Sequence, residues 1–289
     1  MEKLIKFALK AQGVSHIEKD IPCQDSADAI LGLNNTTGIA CVADGHGSSK
    51  YFRSDRGSYF AVSIAMRSLA DFYGSVTKKG TAFFNRKISN EDIKRIDMQS
   101  KLKQLEANII YKWRNAVLED LKNYPLTEVE TETCNDNHIQ GDDPVIYGTT
   151  LLAALVSDCL WFVMHIGDGL CVVLENEENA YCPIKGDERL AFGRTTSLCD
   201  SDSINNFRES YGFSQIMGFT VATDGMADSF EPEKYLQFNK ELYDKFSHSP
   251  ASTEAELKEF LPEISERGSR DDISIAGIFK IKELNKVQA

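Results

Sequence analysis

The sequence predicts an α/β chain of the α+β type, built on mainly antiparallel strands with helices set between them. Three observations predict it. Short apolar runs end on an acidic turn at several places: 39–43 before Asp44-Gly45, 162–166 before Gly167-Asp168, and 219–223 before Asp224-Gly225. Runs of this length closed by Gly and Asp suit buried strands. Residues 147–156, a turn at Asp158, 160–166 and 171–174 follow one another as a meander, which implies antiparallel pairing. Elsewhere apolar residues recur at helical spacing, as in Val62, Met66, Leu69 and Tyr73.

Taken in order, residues 4–9 read as a first strand, and 15–28 as a polar loop in which Pro22 opposes regular pairing. Residues 29–33 and 39–43 form a hairpin across the turn-prone Asn34-Asn35-Thr36-Thr37-Gly38. A helix follows Gly47, and 74–90 is a polar loop. Ser89-x-x-Asp92 resembles a capping box and opens a long helix to about 123, with Leu102, Leu105, Ile109, Trp113 and Ala116 on one side. Residues 124–146 are polar and acidic without periodicity, so a mobile loop is expected there. Residues 175–217 read as irregular. Residues 231–246 suit a helix with Pro232 in its first turn. Thr253-x-x-Glu256 suits the start of a short helix to about 261, and 268–279 carries the last strand. No repeat and no Pro- or Gly-rich linker interrupts residues 1–289, which read as a single domain.

The 42% hydrophobic content supplies a sizeable core. A net charge of −12 disfavours nucleic acid or an anionic membrane as partner, because both need basic patches. The seven cysteines are odd in number and contain no CxxC pair, which points to a reducing compartment without disulfides or structural zinc. The first ten residues lack a signal-peptide core, and no run approaches the roughly 18 apolar residues of a membrane span. A cytoplasmic monomer is expected.

A fourth acidic segment inverts the order of the others: Asp271-Asp272 precedes the apolar run 273–279. A strand antiparallel to the other three starts at the end where they finish, so all these carboxylates can gather on one rim. One Asp-Gly pair is an ordinary turn; the recurrence is not explained that way. Clustered carboxylates repel one another, and hard divalent cations such as Mg2+ or Mn2+ offset that cost with oxygen-only ligands. Two such ions can share a carboxylate and activate water for attack on phosphorus.

Asp44-Gly45-His46-Gly47, Tyr147-Gly148-Thr149-Thr150-Leu151, Ile166-Gly167-Asp168, Ala222-Thr223-Asp224-Gly225-Met226-Ala227-Asp228 and Ser269-Arg270-Asp271-Asp272-Ile273-Ser274 occur in the order found in type 2C, metal-dependent Ser/Thr protein phosphatases. Gly13-Val14-Ser15-His16 and Ile21-Pro22-Cys23-Gln24-Asp25-Ser26 resemble a bacterial branch of that family. The resemblance spans about 10 to 280. It implies a central sandwich of two mainly antiparallel sheets flanked by helices on both sides, with a flap-like insertion at about 175–217.

The resemblance also implies roles. Asp44 would bridge two Mn2+ or Mg2+ ions and Gly45 would offer its carbonyl, with Asp224 and Asp271 completing one ion's ligands. Asp168 and Asp228 match a third, weaker metal position. Gln24-Asp25 stands where the family has an acidic pair supporting metal-bound water. His46 would protonate the leaving serine or threonine oxygen, a task suited to a near-neutral histidine. Asp20 stands where the family's phosphate-binding arginine would lie, leaving His16 or Lys19 as substitutes; Arg194, with Arg189, would touch substrate from the flap. The implied substrate is a phosphorylated protein, with a Ser/Thr kinase as counterpart. Two other readings compete. One is a catalytically weak binding module on the same fold. The other is a different metallohydrolase such as a phosphodiesterase. A cysteine-based phosphatase does not fit, because no cysteine has an arginine six residues on.

Overall fold

The computed structural model describes residues 2–32, 35–76, 97–158, 160–186 and 195–282. They form two five-stranded sheets. The first runs β1 (Glu2–Ala11), β10 (Ile273–Lys282), β9 (Gly218–Ala222), β6 (Leu170–Leu174) and β7 (Ala180–Tyr181). The second runs β2 (Ser26–Leu31), β3 (Gly38–Ala43), β4 (Leu151–Val156), β5 (Trp161–Ile166) and β8 (Arg208–Gly212). Every pairing is antiparallel.

The continuous apolar runs have a simple cause: both faces of these strands are covered. On β3, Ile39, Cys41 and Ala43 pack with α2 (Ser54–Val76) and α3 (Met98–Asn123), while Ala40 and Val42 face the other sheet. On β10, Ala276 and Ile278 face the sandwich interior, while Ile273, Ile275 and Phe279 pack with α7 (Pro232–His248) and α8 (Pro250–Arg267). The expected helix–sheet–sheet–helix stack is therefore the fold. Among the described residues no helix is long and apolar enough to cross a membrane.

Several local readings are corrected. The loop at 15–28 begins inside a short helix, α1 (Val14–Glu18), and β2 starts at Ser26 because Ser26 aligns with Ala43 and its hydroxyl pairs with Ser58. The irregular stretch 175–217 contains β7, α5 (Ser203–Asn206) and β8. The last helix begins at Pro250, leaving Thr253 buried within it. Residues 89–92 lie outside the described residues; α3 is capped by Asp97, whose carboxylate accepts from Ser100 N.

The largest correction concerns 124–146. It holds a helix, α4 (Glu128–Asp136), with a complete capping box between Thr127 and Glu130. Its acidic composition masked that local signal. What fixes it is Arg53, which is buried and uses Nε and Nη2 on the two oxygens of Glu130 at 2.7 and 2.8 Å. Its other bonds go to the Tyr124 and Pro125 carbonyls and to the Tyr147 hydroxyl. Tyr147 in turn donates to Asp120, which also pairs with Arg56.

The Arg53 hydrogen bonds push the Glu130 carboxyl down to about 2. A carboxyl depressed below its unfolded value, about 4.3, adds stability above that pH and loses it as pH falls toward the folded value. Glu130→Gln should therefore melt below the wild type at pH 7, and the gap should close between about pH 4.3 and about 2. Thermal melts across that range check it; a gap independent of pH means the ion pair is not its source.

Candidate metal centre

Register gathers the acidic residues at one end of the sandwich. In the second sheet Ser26 opposes Ala43 and Leu151 opposes Ile166, so Asp25, Asp44, Thr150 and Asp168 share a rim. In the first sheet Ala11 opposes Ile273, and Ala222 opposes both Leu170 and Ile275, which brings Asp224, Asp271 and Asp272 to the same end. Close approach here requires glycine. A Cβ on Gly225 would lie 1.9 Å from the Asp272 carbonyl oxygen, and one on Gly13 would lie 2.3 Å from the Asp271 carbonyl carbon.

Each aspartate is held by identifiable donors. The peptide of Asp44 is pinned on both sides: its N–H donates to Thr150 Oγ1, and its carbonyl accepts from Thr150 N and Thr149 Oγ1. Thr223 donates to Asp25 Oδ2 at 2.8 Å, and Thr195 to Asp168 Oδ2 at 2.6 Å. Gly45 sits in the same turn, its N–H donating to the Gln24 carbonyl. Gln24 Nε2 donates to Ser54 Oγ at 2.7 Å.

Asp44, Asp168 and Asp224 each place one carboxylate oxygen within 4.8 Å of the others. Burial raises Asp44 and Asp25 well above the usual carboxylate range, and neighbouring carboxylates add to it. Asp224 rises to about 7, first through burial and then through Asp168, Asp271 and Asp228. Asp228 is raised by burial and by Asp168. Asp25 Oδ1 and Asp168 Oδ1 are buried without a hydrogen-bond partner among the described residues. An all-oxygen donor set, mutually repelling and short of donors, fits a hard divalent cation.

Other expected residues fall elsewhere. Asp271 is half-exposed and lies outside the set of three, although its charge reaches Asp44 and Asp224. Its neighbour Asp272 is buried and accepts from Gly13 N, Gln24 N and His16 Nδ1. Three donors make it the tie between the β1 end and the β10 start, a role the sequence did not disclose. His16, expected as a phosphate ligand, is buried with its Nδ1 2.8 Å from Asp272 and its Nε2 3.5 Å from Asp271 Oδ1. Lys19 is exposed at the α1 C-cap. Arg189 and Arg194 lie outside the described residues.

His46 follows Asp44 and Gly45 in the same turn, its backbone N–H donating to the Gly148 carbonyl and its ring 4.7 Å from that of Tyr51. Its expected near-neutral character is corrected. Burial, then the Lys50 ammonium, push it down to about 4, and its Nε2 is buried without a partner among the described residues.

Residues 12–262 match the model of the protein phosphatase 2C family. The chain belongs to that family. No curated protein sequence matches it. Among solved structures, this family member resembles the catalytic domain of the serine/threonine protein phosphatase PstP in complex with two manganese ions, at 17% identity and TM-score 0.56, covering 98% of this chain and 100% of that one. It also resembles PppA of Pseudomonas aeruginosa (13%, TM-score 0.57, 97% and 100% covered). A third is Stp1, a serine/threonine phosphatase from Staphylococcus aureus (13%, TM-score 0.56, 96% and 94% covered). At these identities the likeness is one of fold.

Raised carboxyls favour the folded state at low pH and lose that contribution as pH rises through their folded values. The protein stripped of metal should therefore lose stability between about pH 4 and 7. Mn2+ at a hundredfold excess over Kd should restore about 2.7 kcal/mol at pH 7. Asp44→Asn should raise the melting temperature without metal and erase the Mn2+ response. Calorimetry with and without Mn2+ checks both.

Proposed function

We propose that the chain is a Mn2+- or Mg2+-dependent protein phosphatase that hydrolyses phosphoserine and phosphothreonine monoesters. The observation that carries this is the convergence of Asp44, Asp168 and Asp224 from three separate strands, in a chain whose family is fixed independently. Pairing of β1 with β10, from the two ends of the chain, supports one phosphatase-like domain over 1–289. The unpaired thiols at Cys41 and Cys171 support a reducing, cytoplasmic setting. The net charge of −12 supports phosphorylated proteins, the products of a Ser/Thr kinase, over nucleic acid, and a monomer suffices for the site. The alternative of a catalytically weak binding module gains no support from the Asp44, Asp168 and Asp224 cluster.

Asp44, with the Gly45 carbonyl, would hold two ions between them; Asp224 and Asp271 would complete one, Asp25 would orient its water, and Asp168 with Asp228 would hold a third. When bound, the cations offset the carboxylate charge, polarise the phosphoryl group and supply activated water for in-line attack on phosphorus. The chain's own task is to keep the acceptors aimed, through Thr149 and Thr150 on Asp44, Thr223 on Asp25 and Thr195 on Asp168. His46 would give its proton to the leaving oxygen. It is neutral at pH 7 until a dianionic phosphate lies beside it, and that opposite charge raises its proton affinity.

Hydrolysis of a phosphothreonine peptide should require Mn2+ or Mg2+, stop on chelation, and be abolished in Asp44→Asn and Asp224→Asn; activity surviving in either variant overturns the proposal. A phosphodiester should be a poor substrate. His46→Gln should lose about 10²–10⁴-fold on the peptide and far less on an aryl phosphate, whose leaving group needs no acid. Equal losses remove the acid role.

A further inference from the structure

The Arg53–Glu130 pair lies at the far end of a short chain of contacts that stops at His46. Arg53 is joined to the strap before β4 twice. Its backbone N–H donates to the Ile146 carbonyl at 2.9 Å, and its Nη1 donates to the Tyr147 hydroxyl at 3.0 Å. The next residue, Gly148, accepts the His46 N–H at 3.1 Å. Gly148 also packs against the imidazole so closely that a Cβ there would lie 3.0 Å from His46 Cδ2. The strap therefore holds the His46 backbone directly and borders its ring, which packs against Tyr51 on the same side.

The neighbouring metal ligand is anchored differently. Asp44 hangs from Thr149 and Thr150, and Thr149 is held by Ser197, whose hydroxyl accepts from Thr149 N and donates to Thr149 O. None of those bonds passes through Arg53. A disturbance of Arg53 thus reaches His46 through Gly148, while the Asp44 anchorage keeps its own supports.

Resting on the phosphatase reading above, we propose that Glu130 and Arg53 are positioning residues for His46. The helix α4 clamps Arg53 through Glu130, Arg53 sets the Tyr147–Gly148 strap, and the strap sets the imidazole. Arg53 is suited to this because its planar fork spends two nitrogens on one carboxylate and still reaches Tyr147; a lysine cannot do both.

The test uses the full chain loaded with Mn2+, below the melting temperature of every variant. Glu130→Gln and Arg53→Lys should each lower kcat on a phosphothreonine peptide by about tenfold, since small misplacements of a reacting group are costly. KM and Mn2+ affinity should stay at wild-type values. Activity on an aryl phosphate should change little, the same pattern as His46→Gln. Tyr147→Phe should share the pattern, and Glu128→Gln, on the exposed side of α4, should not. The His46 imidazole resonance should move in Glu130→Gln and Arg53→Lys and stay fixed in Glu128→Gln. Losses equal on both substrates, or loss of Mn2+ affinity, mean general loosening and overturn the proposal, as does an unmoved imidazole. A wild type inactive on every phosphomonoester defeats the phosphatase reading, and the imidazole resonance then still decides the positioning.

Discussion

Mutual repulsion among carboxylates at one end of the sandwich is the constraint to which the rest of the molecule answers. Asp44, Asp168 and Asp224 stand within reach of one ion, the neighbouring charges raise the proton affinity of Asp44 and Asp224, and Asp25 joins them from full burial. Such a cluster opposes folding unless the surrounding chain is rigid and a counter-charge is at hand. The rigidity comes from two sheets whose strands are covered on both faces. The carboxylates of Asp168 and Asp25 are then oriented by single hydroxyls from Thr195 and Thr223, and the Asp44 backbone is pinned by the hydroxyls of Thr149 and Thr150. Hydroxyls orient a carboxylate without neutralising it, which keeps its charge available to a cation.

Asp272 plays the opposite part within the same rim. Its charge is consumed by two backbone N–H groups and His16, so it closes the structure where the chain's first and last strands meet. Two adjacent aspartates thus differ in role: Asp271 stays half-exposed with its charge felt by Asp44 and Asp224, and Asp272 ties Gly13 and Gln24 together. The close backbone approach at Gly13 and Gly225 follows from that tie.

The helix α4 adds a second layer of support. Glu130 on Arg53 connects this acidic, mostly exposed segment to the strap beside His46, and Cys134 anchors it in the core. The chain places this bidentate pair where it borders both the α2 start and the β4 approach. The turn at His46 is thereby joined to residues far away in sequence and to an element with no apolar stripe of its own.

The strand-ending aspartates were legible in the sequence because a buried strand must be apolar along its length, and its first polar residue marks where it leaves the core. The two-sided burial of β3, β4 and β5 follows from the same pattern, and so do the stripes of α2 and α3. What the sequence could not disclose was that Asp272 is consumed as a tie between Gly13 and Gln24, or that it occupies His16. It also gave no sign that Glu130 finds Arg53 77 residues back. Those outcomes turn on side-chain direction and on partners distant in the chain, and local pattern carries neither. Tertiary structure alone decided them, because a polar group's role is set by what is left within hydrogen-bond reach after the core has packed.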